Sequence, residues 1–127
     1  MAACKGRILC TEDDDDTREL IIVILSSEGF DVTCAKNAVE ALRCAESARF
    51  DLYILDNWLP DISGVSLCER LRKQDATTPI LFCSGAAYDI DKQNAYLAGA
   101  QGYLVKPVPA AELIAEVVRL IAESRSL

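Results

Sequence analysis

Residues 50–64 decide the fold of this chain, and they have the sequence Phe50-Asp51-Leu52-Tyr53-Ile54-Leu55-Asp56-Asn57-Trp58-Leu59-Pro60-Asp61-Ile62-Ser63-Gly64. The apolar run 52–55 ends at Asp56, and Pro60 and Gly64 interrupt the chain before the next periodic segment. Apolar runs of this length between turn residues are typical of buried strands. If the strand belongs to a parallel sheet, Asp56 lies at its carboxyl end, where open α/β sheets bind ligands. A carboxylate in that position needs a cationic partner.

The composition indicates one folded domain over residues 1–127. Hydrophobic residues make up 51% of the chain and charged residues 26%, which excludes a wholly disordered protein. A formal net charge of -7 argues against direct nucleic-acid binding, which needs a basic surface. The sequence shows no signal peptide and no apolar stretch of membrane-spanning length. We therefore expect a cytoplasmic protein that does not bind a membrane.

The cysteines are expected to be buried, reduced thiols. The chain has 6 of them, they form no C-x-x-C pair, and several lie inside apolar runs. A zinc site is not expected, because the ligands are scattered and the chain contains no histidine.

Five apolar runs alternate with five segments of helical periodicity. The predicted strands cover residues 7–11, 30–35, 52–55, 80–84 and 102–105. The predicted helices cover residues 17–28, 37–48, 65–76 and 89–98, and a last helix begins at Pro109. This alternation predicts a parallel sheet with helices on both faces and right-handed crossovers.

Local signals mark how the helices begin and which side they bury. Asp15 or Asp16 is the predicted N-cap of the first helix, and Asn37 and Glu40 have the form of a capping box for the second. The last helix has one predicted apolar stripe, formed by Leu113, Ile114, Val117, Val118 and Ile121.

Polar side chains follow four of the five strands at their carboxyl ends. They are Glu12, Asp13, Asp56, Ser84 and Lys106. In a parallel sheet these ends share one edge, where the clustered carboxylates would repel unless a cation or a proton relieved them. Oxygen-only ligands suit Mg²⁺. A carboxylate beside a metal, an ammonium and a hydroxyl is the set needed to accept a phosphoryl group.

The chain resembles the CheY-like receiver domains of two-component response regulators over nearly its whole length. Four motifs carry the resemblance: Glu12-Asp13, Leu55-Asp56 with Pro60 and Gly64, Ser84-Gly85, and Tyr103 with Lys106-Pro107. The resemblance implies a flavodoxin-like, doubly wound (βα)5 three-layer sandwich with strand order 2-1-3-4-5.

The resemblance also implies a site. Asp56 would be the phosphoacceptor, loaded from a phosphohistidine of a sensor histidine kinase or a phosphotransfer protein. Glu12, Asp13, Asp56 and the backbone carbonyl of Trp58 would hold Mg²⁺, and Lys106 would contact the phosphoryl oxygens. The chain would be a phosphoacceptor rather than an enzyme acting on other substrates.

A switch to a downstream effector is implied as well. Ser84 would move to bond the phosphoryl group, and Tyr103 would change rotamer with it, altering the face made by the fourth helix, fifth strand and fifth helix. The Lys106-Pro107 bond would be cis. The protein would be a monomer or a weak dimer.

Four positions need separate interpretation. Glu12 replaces the Asp common in the family, and Ser84 replaces the commoner Thr. The bulky Trp58 occupies a position that tunes phosphoryl hydrolysis in the family, so we hypothesise that it restricts the attacking water. Asp61 is interpreted as a turn residue.

Two other functions are open on sequence grounds. Residues 13–17 fit the D-x-D-x-T motif of haloacid-dehalogenase-like phosphatases, in which Asp13 would be the nucleophile. The late acidic pair of such enzymes is absent, and the P-x-x-x-G after Asp56 would remain unexplained. The other alternative is a receiver-like binding module that is never phosphorylated.

Overall fold

The apolar runs of the sequence form the five strands of a single parallel sheet. The computed structural model describes residues 4–126. Its strands are β1 (Arg7–Thr11), β2 (Asp31–Ala35), β3 (Leu52–Leu55), β4 (Ile80–Ser84) and β5 (Gly102–Val105), in the spatial order β2-β1-β3-β4-β5. The predicted flavodoxin-like fold class and strand order are therefore confirmed. β3 lies in the centre, and every residue in it is buried.

Helices connect the strands and cover both faces of the sheet. They are α1 (Asp15–Ser27), α2 (Ala38–Ser47), α3 (Gly64–Gln74), α4 (Asp89–Ala98) and α5 (Ala110–Arg125). The side chains of α1 and α5 form one apolar core with alternate strand residues such as Ile8 and Ile54. The side chains of α2, α3 and α4 form a second core with the residues between them, such as Leu9 and Leu55. Burial on both faces explains the nearly continuous apolar strands of the sequence.

Several local predictions need correction. The N-cap of α1 is Asp14, not Asp15 or Asp16, and its carboxylate accepts hydrogen bonds from the N–H and hydroxyl of Thr17. In α5 the buried stripe includes Leu120, whereas Val118 is largely exposed. At about 100° per residue, Leu120 lies only about 20° around the helix from the buried Leu113, whereas Val118 lies about 140° from it and faces away from the sheet.

The cysteines are free, as predicted, but they are not uniformly buried. Cys10, Cys68 and Cys83 are buried, Cys34 and Cys44 are half-buried, and Cys4 is exposed. Within residues 4–126, none of the helices combines the length and apolar composition that a membrane span requires.

The last turn of α5 lies beside the beginning of the described chain. The guanidinium of Arg125 donates a hydrogen bond to the Lys5 carbonyl at 3.2 Å and lies 3.5 Å from the Asp51 carboxylate. This contact is at the amino ends of the strands, opposite the edge at which the predicted polar residues lie.

Candidate functional site

Backbone hydrogen bonds that continue one residue past β1, β3 and β5 place Glu12, Asp56 and Lys106 at the carboxyl edge of the sheet. The N–H of Glu12 bonds the Ala35 carbonyl at 3.0 Å, and the N–H of Asp56 bonds the Thr11 carbonyl at 3.2 Å. The N–H of Lys106 bonds the Ser84 carbonyl at 2.9 Å. Each side chain is therefore held by the strand ladder before any contact with a ligand.

Three carboxylates meet at this edge. One oxygen each from Glu12, Asp13 and Asp56 lies within 4.8 Å of the other two. Glu12 is only 2% exposed and Asp56 6% exposed, whereas Asp13 is open to solvent. Clustered hard oxygen ligands with one open side suit Mg²⁺, which retains several waters and needs few protein ligands. The residues present therefore fit a magnesium ion.

Lys106 is the ammonium at the same place. Its Nζ donates to Glu12 Oε1 and, at 3.0 Å, to Asp56 Oδ2. Burial works against the charged ammonium, but these two bonds outweigh it and raise the pKa of Lys106. Burial raises the pKa of Glu12; the Lys106 bond opposes this rise and the Asp56 charge adds to it. Three carboxylates face only one ammonium in this cluster, so binding a further cation there would reduce the repulsion among the carboxylates.

The turn after Asp56 is held close to the Asp56 carboxylate. The N–H of Trp58 donates to Asp56 Oδ1 at 3.1 Å. Gly64 closes the turn through its N–H to the Asn57 carbonyl at 2.8 Å. A Cβ at Gly64 would lie 2.2 Å from the Asp56 carbonyl oxygen, so a residue with a side chain cannot occupy this position without moving the backbone. This close approach explains why the residue eight positions after Asp56 is a glycine.

Ser84 and Tyr103 meet at a shared neighbour, Ala86. The buried Ser84 hydroxyl accepts from the Ala86 N–H at 3.2 Å, and the Tyr103 hydroxyl donates to the Ala86 carbonyl at 2.5 Å. The Tyr103 ring stacks on Phe82, with ring centroids 5.6 Å apart. The hydroxyls of Ser84 and Tyr103 thus bind opposite polar groups of one residue in the β4–α4 loop. Sequence reasoning did not identify Ala86, because a backbone contact leaves no mark on residue type.

The Lys106–Pro107 peptide bond is cis, the isomer that the resemblance implied. Trp58 is 63% exposed, and its indole lies against Gly85, where a Cβ would be 3.0 Å from Trp58 Cζ3.

Of the D-x-D-x-T segment, Asp13 belongs to the carboxylate cluster. Asp15 instead pairs with Arg18 at the surface.

Asp61 also has a role that the sequence interpretation missed. The residue lies in the turn after β3, as interpreted from the sequence. Its carboxylate also accepts hydrogen bonds from the Ala38 and Val39 N–H groups, both at 3.0 Å. These partners are more than twenty residues away in the sequence, so turn composition alone could not indicate them.

Comparisons with known proteins agree with this geometry. The chain is 38% identical over 112 residues to YrkP, an uncharacterized transcriptional regulatory protein of Bacillus subtilis. It is 35% identical over 111 residues to the regulatory protein VanR of Enterococcus faecium. These alignments cover 88% and 87% of this chain but 48% of each relative. The chain thus spans about half the length of these curated relatives.

Solved structures give the same result. A CheY-like response regulator receiver domain protein from Methanospirillum hungatei superposes with a TM-score of 0.92 at 29% identity, over 98% of both chains. The receiver domain of the sensor histidine kinase PA1611 from Pseudomonas aeruginosa superposes with a TM-score of 0.86 at 32% identity. That alignment covers 95% of this chain and 99% of the other, and a magnesium ion is coordinated in the active site cleft of that receiver domain. The family described as the response regulator receiver domain matches residues 8–118, and the chain belongs to this family.

Proposed function

We propose that Asp56 accepts a phosphoryl group from the phosphohistidine of a histidine kinase or phosphotransfer protein. An oxygen of the Asp56 carboxylate attacks phosphorus, the P–N bond breaks, and the imidazole leaves. The observation that carries the proposal is the joint position of Asp56, two further carboxylates and the Lys106 ammonium at one sheet edge. The free cysteines of the described chain are compatible with the cytoplasm, where such kinases act.

Each neighbouring group has a role in this transfer. Glu12, Asp13, Asp56 and the Trp58 carbonyl would hold Mg²⁺, which supplies charge neutralisation for the phosphoryl oxygens. The Lys106 ammonium donates to Asp56 Oδ2 and, after the transfer, would donate to the phosphoryl oxygens instead. The Trp58 N–H donates to Asp56 Oδ1 and so orients the carboxylate. Ser84 would exchange its bond with the Ala86 N–H for one to the phosphoryl group.

The output would be a change in the β4–α4 loop. Because the Ser84 and Tyr103 hydroxyls both contact Ala86, movement of Ser84 toward the phosphoryl group changes what Tyr103 can bond. The face formed by α4, β5 and α5 would then differ between the two states and be read by an effector domain or protein. We propose that the chain is a monomer or weak dimer.

The test is labelling with a small-molecule phosphodonor in Mg²⁺, followed by intact-mass and peptide mass spectrometry. We expect one phosphoryl group on the wild-type chain, none on Asp56→Asn, and normal labelling of Asp16→Asn, which alters an exposed acid close to the site. A phosphoryl group on Asp13 would instead indicate hydrolase chemistry. No labelling of the wild type would support a module that acts without phosphorylation.

Trp58 is proposed to slow hydrolysis of the phosphoryl group by restricting water. The indole lies against Gly85, which directly follows Ser84 in the sequence. Trp58→Ala should therefore shorten the phosphoryl lifetime, measured by loss of label after the donor is removed. An unchanged lifetime would remove this role.

A further inference from the structure

The carboxylate of Asp61 connects the loop after the acceptor to a different element of the fold. The loop over residues 57–63 joins β3 to α3, and Asp61 lies in its middle. Asp61 Oδ1 accepts from the Ala38 N–H and Oδ2 from the Val39 N–H, each at 3.0 Å. Both amides belong to the first turn of α2. One side chain therefore joins two segments that are distant in sequence.

The first turn of α2 is well suited to bind a carboxylate. The first N–H groups of a helix lack partners within the helix and carry a partial positive charge. The α2 N-cap, Asn37, accepts only the Glu40 N–H, at 2.9 Å, so Asp61 takes the two preceding amides. Burial acts to raise the pKa of Asp61, but these N–H groups outweigh it and the pKa is lowered. Asp61 is therefore an anion at neutral pH.

The same loop carries the peptide group that faces the reactive carboxylate. Its beginning is held by the Trp58 N–H on Asp56 Oδ1, and its end by the Gly64 N–H on the Asn57 carbonyl. Only two residues separate Trp58 from Asp61, and one of them, Pro60, has a backbone φ fixed by its ring. A short, stiff connection of this kind transmits the position of Asp61 to the Trp58 peptide.

We propose that Asp61 is a positioning residue for the cation site. By binding the first turn of α2, it holds the loop so that the Trp58 carbonyl can join Glu12, Asp13 and Asp56 as a ligand. This inference rests on the proposed function, because it requires Mg²⁺ at that cluster. It assigns to Asp61 a role in metal binding without contact with the metal.

The experiment compares Asp61→Ala with Asn37→Ala. Both variants remove hydrogen bonds at the beginning of α2, but only Asp61→Ala releases the loop. The chain has one tryptophan, Trp58, so Mg²⁺ titration can be followed by its fluorescence. We expect Asp61→Ala to weaken Mg²⁺ binding about fivefold, the effect of losing a helix-capping contact, and Asn37→Ala to leave it nearly unchanged. Without Mg²⁺, the Trp58 fluorescence anisotropy should fall in Asp61→Ala alone.

The outcomes separate this inference from the function on which it rests. A wild-type chain that binds no Mg²⁺ would overturn both, before any variant is measured. Wild-type affinity and anisotropy in a folded Asp61→Ala would overturn only the positioning role, and so would an equal loss of affinity in Asn37→Ala. If Asp61→Ala fails to fold, Asp61→Asn replaces it: it keeps the shape, can accept from only one amide, and should weaken Mg²⁺ binding to a smaller extent.

Discussion

Lys106 bonds Glu12 and Asp56 at once, so one ammonium holds together two carboxylates from different strands. Its side chain is 24% exposed, and the third carboxylate, Asp13, remains free of this bond in the described structure. A divalent ion entering the cluster would contact oxygens that Lys106 already occupies and would be repelled by the ammonium. Lys106 and Mg²⁺ are therefore partial competitors for the same charge.

This competition leads to the first prediction. Lys106→Met should bind Mg²⁺ more tightly than the wild type, by about fivefold or roughly 1 kcal/mol after solvent screening, while labelling by a phosphodonor falls. Trp58 fluorescence titration measures the affinity. Lys73→Met, which removes an exposed lysine of α3, is the matched control and should leave the affinity unchanged. Weaker binding in Lys106→Met would mean that the ammonium chiefly orders the carboxylates.

Asp75 gives a pH-dependent prediction. Burial opposes ionisation of Asp75, but hydrogen bonds from Thr78, Thr77 and Tyr53 outweigh it and lower its pKa to about 2. The unfolded chain, with an ordinary Asp pKa of about 3.9, binds a proton first as the pH falls. The stabilisation by ionised Asp75 is therefore complete above about pH 5 and is lost as the pH falls toward 2.

Asp75→Asn should thus be less stable than the wild type at pH 7, with a difference that shrinks between about pH 5 and 2. Urea unfolding across this pH range measures the difference in the free energy of unfolding. A difference that stays constant with pH would show that packing, not charge, stabilises Asp75.

Which site residues could be predicted depends on where their partners lie. Asp56 and Lys106 could be placed in advance, because each follows an apolar run and parallel strands gather their carboxyl ends at one edge. The bonds of Asp61 to Ala38 and Val39 could not, since they depend on how a loop packs on a helix. The contacts of Ala86 with Ser84 and Tyr103 could not be predicted from the sequence either, because they involve the Ala86 backbone.

At the scale of elements, Arg72 forms hydrogen bonds with the α3–β4 and α4–β5 connections at the amino edge of the sheet. The Arg72 guanidinium, on α3, donates to the carbonyls of Gly99, Asp75 and Thr78, at distances between 2.6 and 3.1 Å. It also donates to the side chain of Gln101 at 2.7 Å. Gly99 has a φ of 117°, and a Cβ there would lie 2.8 Å from Arg72 Cγ, so the glycine at the end of α4 also makes room for this arginine.

Arg72→Met should therefore destabilise the chain by about 2–4 kcal/mol, because several buried or half-buried carbonyls lose their donor. Arg70→Met alters an exposed residue of the same helix and should cost less than about 0.5 kcal/mol. The free energy of unfolding in urea is the measurement. Equal effects of the two substitutions would contradict a structural role for the Arg72 hydrogen bonds.

Element positions could be predicted closely, and helix details less so. The strand limits agree because an apolar run between turn residues has sharp ends; only β2 begins one residue later than predicted, at Asp31. The N-cap of α1 was misplaced because residues 13–16 are all aspartates, so composition does not distinguish the capping position. Geometry does: Asp14 is the one whose carboxylate reaches the Thr17 N–H.

At the scale of the whole molecule, folding determines the chemistry of the thiols. Burial raises the pKa of Cys68 and of Cys83 to about 11, so thiolate is scarce at these two positions at pH 8. In the folded protein, iodoacetamide should modify the exposed Cys4 at least about a hundredfold faster than either residue. Urea should remove this difference.

Peptide mapping by mass spectrometry after timed labelling measures each cysteine separately. Rapid modification of Cys68 or Cys83 in the folded chain would show that their part of the molecule opens locally, below the free energy of global unfolding.

The fold as a whole could be predicted because its signals agree at every level. Apolar runs of strand length alternate with amphipathic segments, and this alternation has one common solution, a parallel sheet covered on both faces. The strand order β2-β1-β3-β4-β5 does not follow from the alternation and came from the family resemblance. Physical reasoning on one sequence predicts a sheet with a helix layer on each face. The order of the strands depends on which strands pair across long sequence separations, and the sequence pattern does not show this.

The contact between Arg125 and Lys5 brings both ends of the described chain to the amino edge of the sheet. The carboxylates of Glu12, Asp13 and Asp56 lie at the other edge, a strand length away, or about 16 Å for five residues. A reporter, affinity tag or neighbouring domain joined to either end of the described chain would therefore start from the edge opposite the carboxylate cluster and leave that cluster open. Immobilising the protein through either end would likewise leave the carboxylate cluster facing the solution.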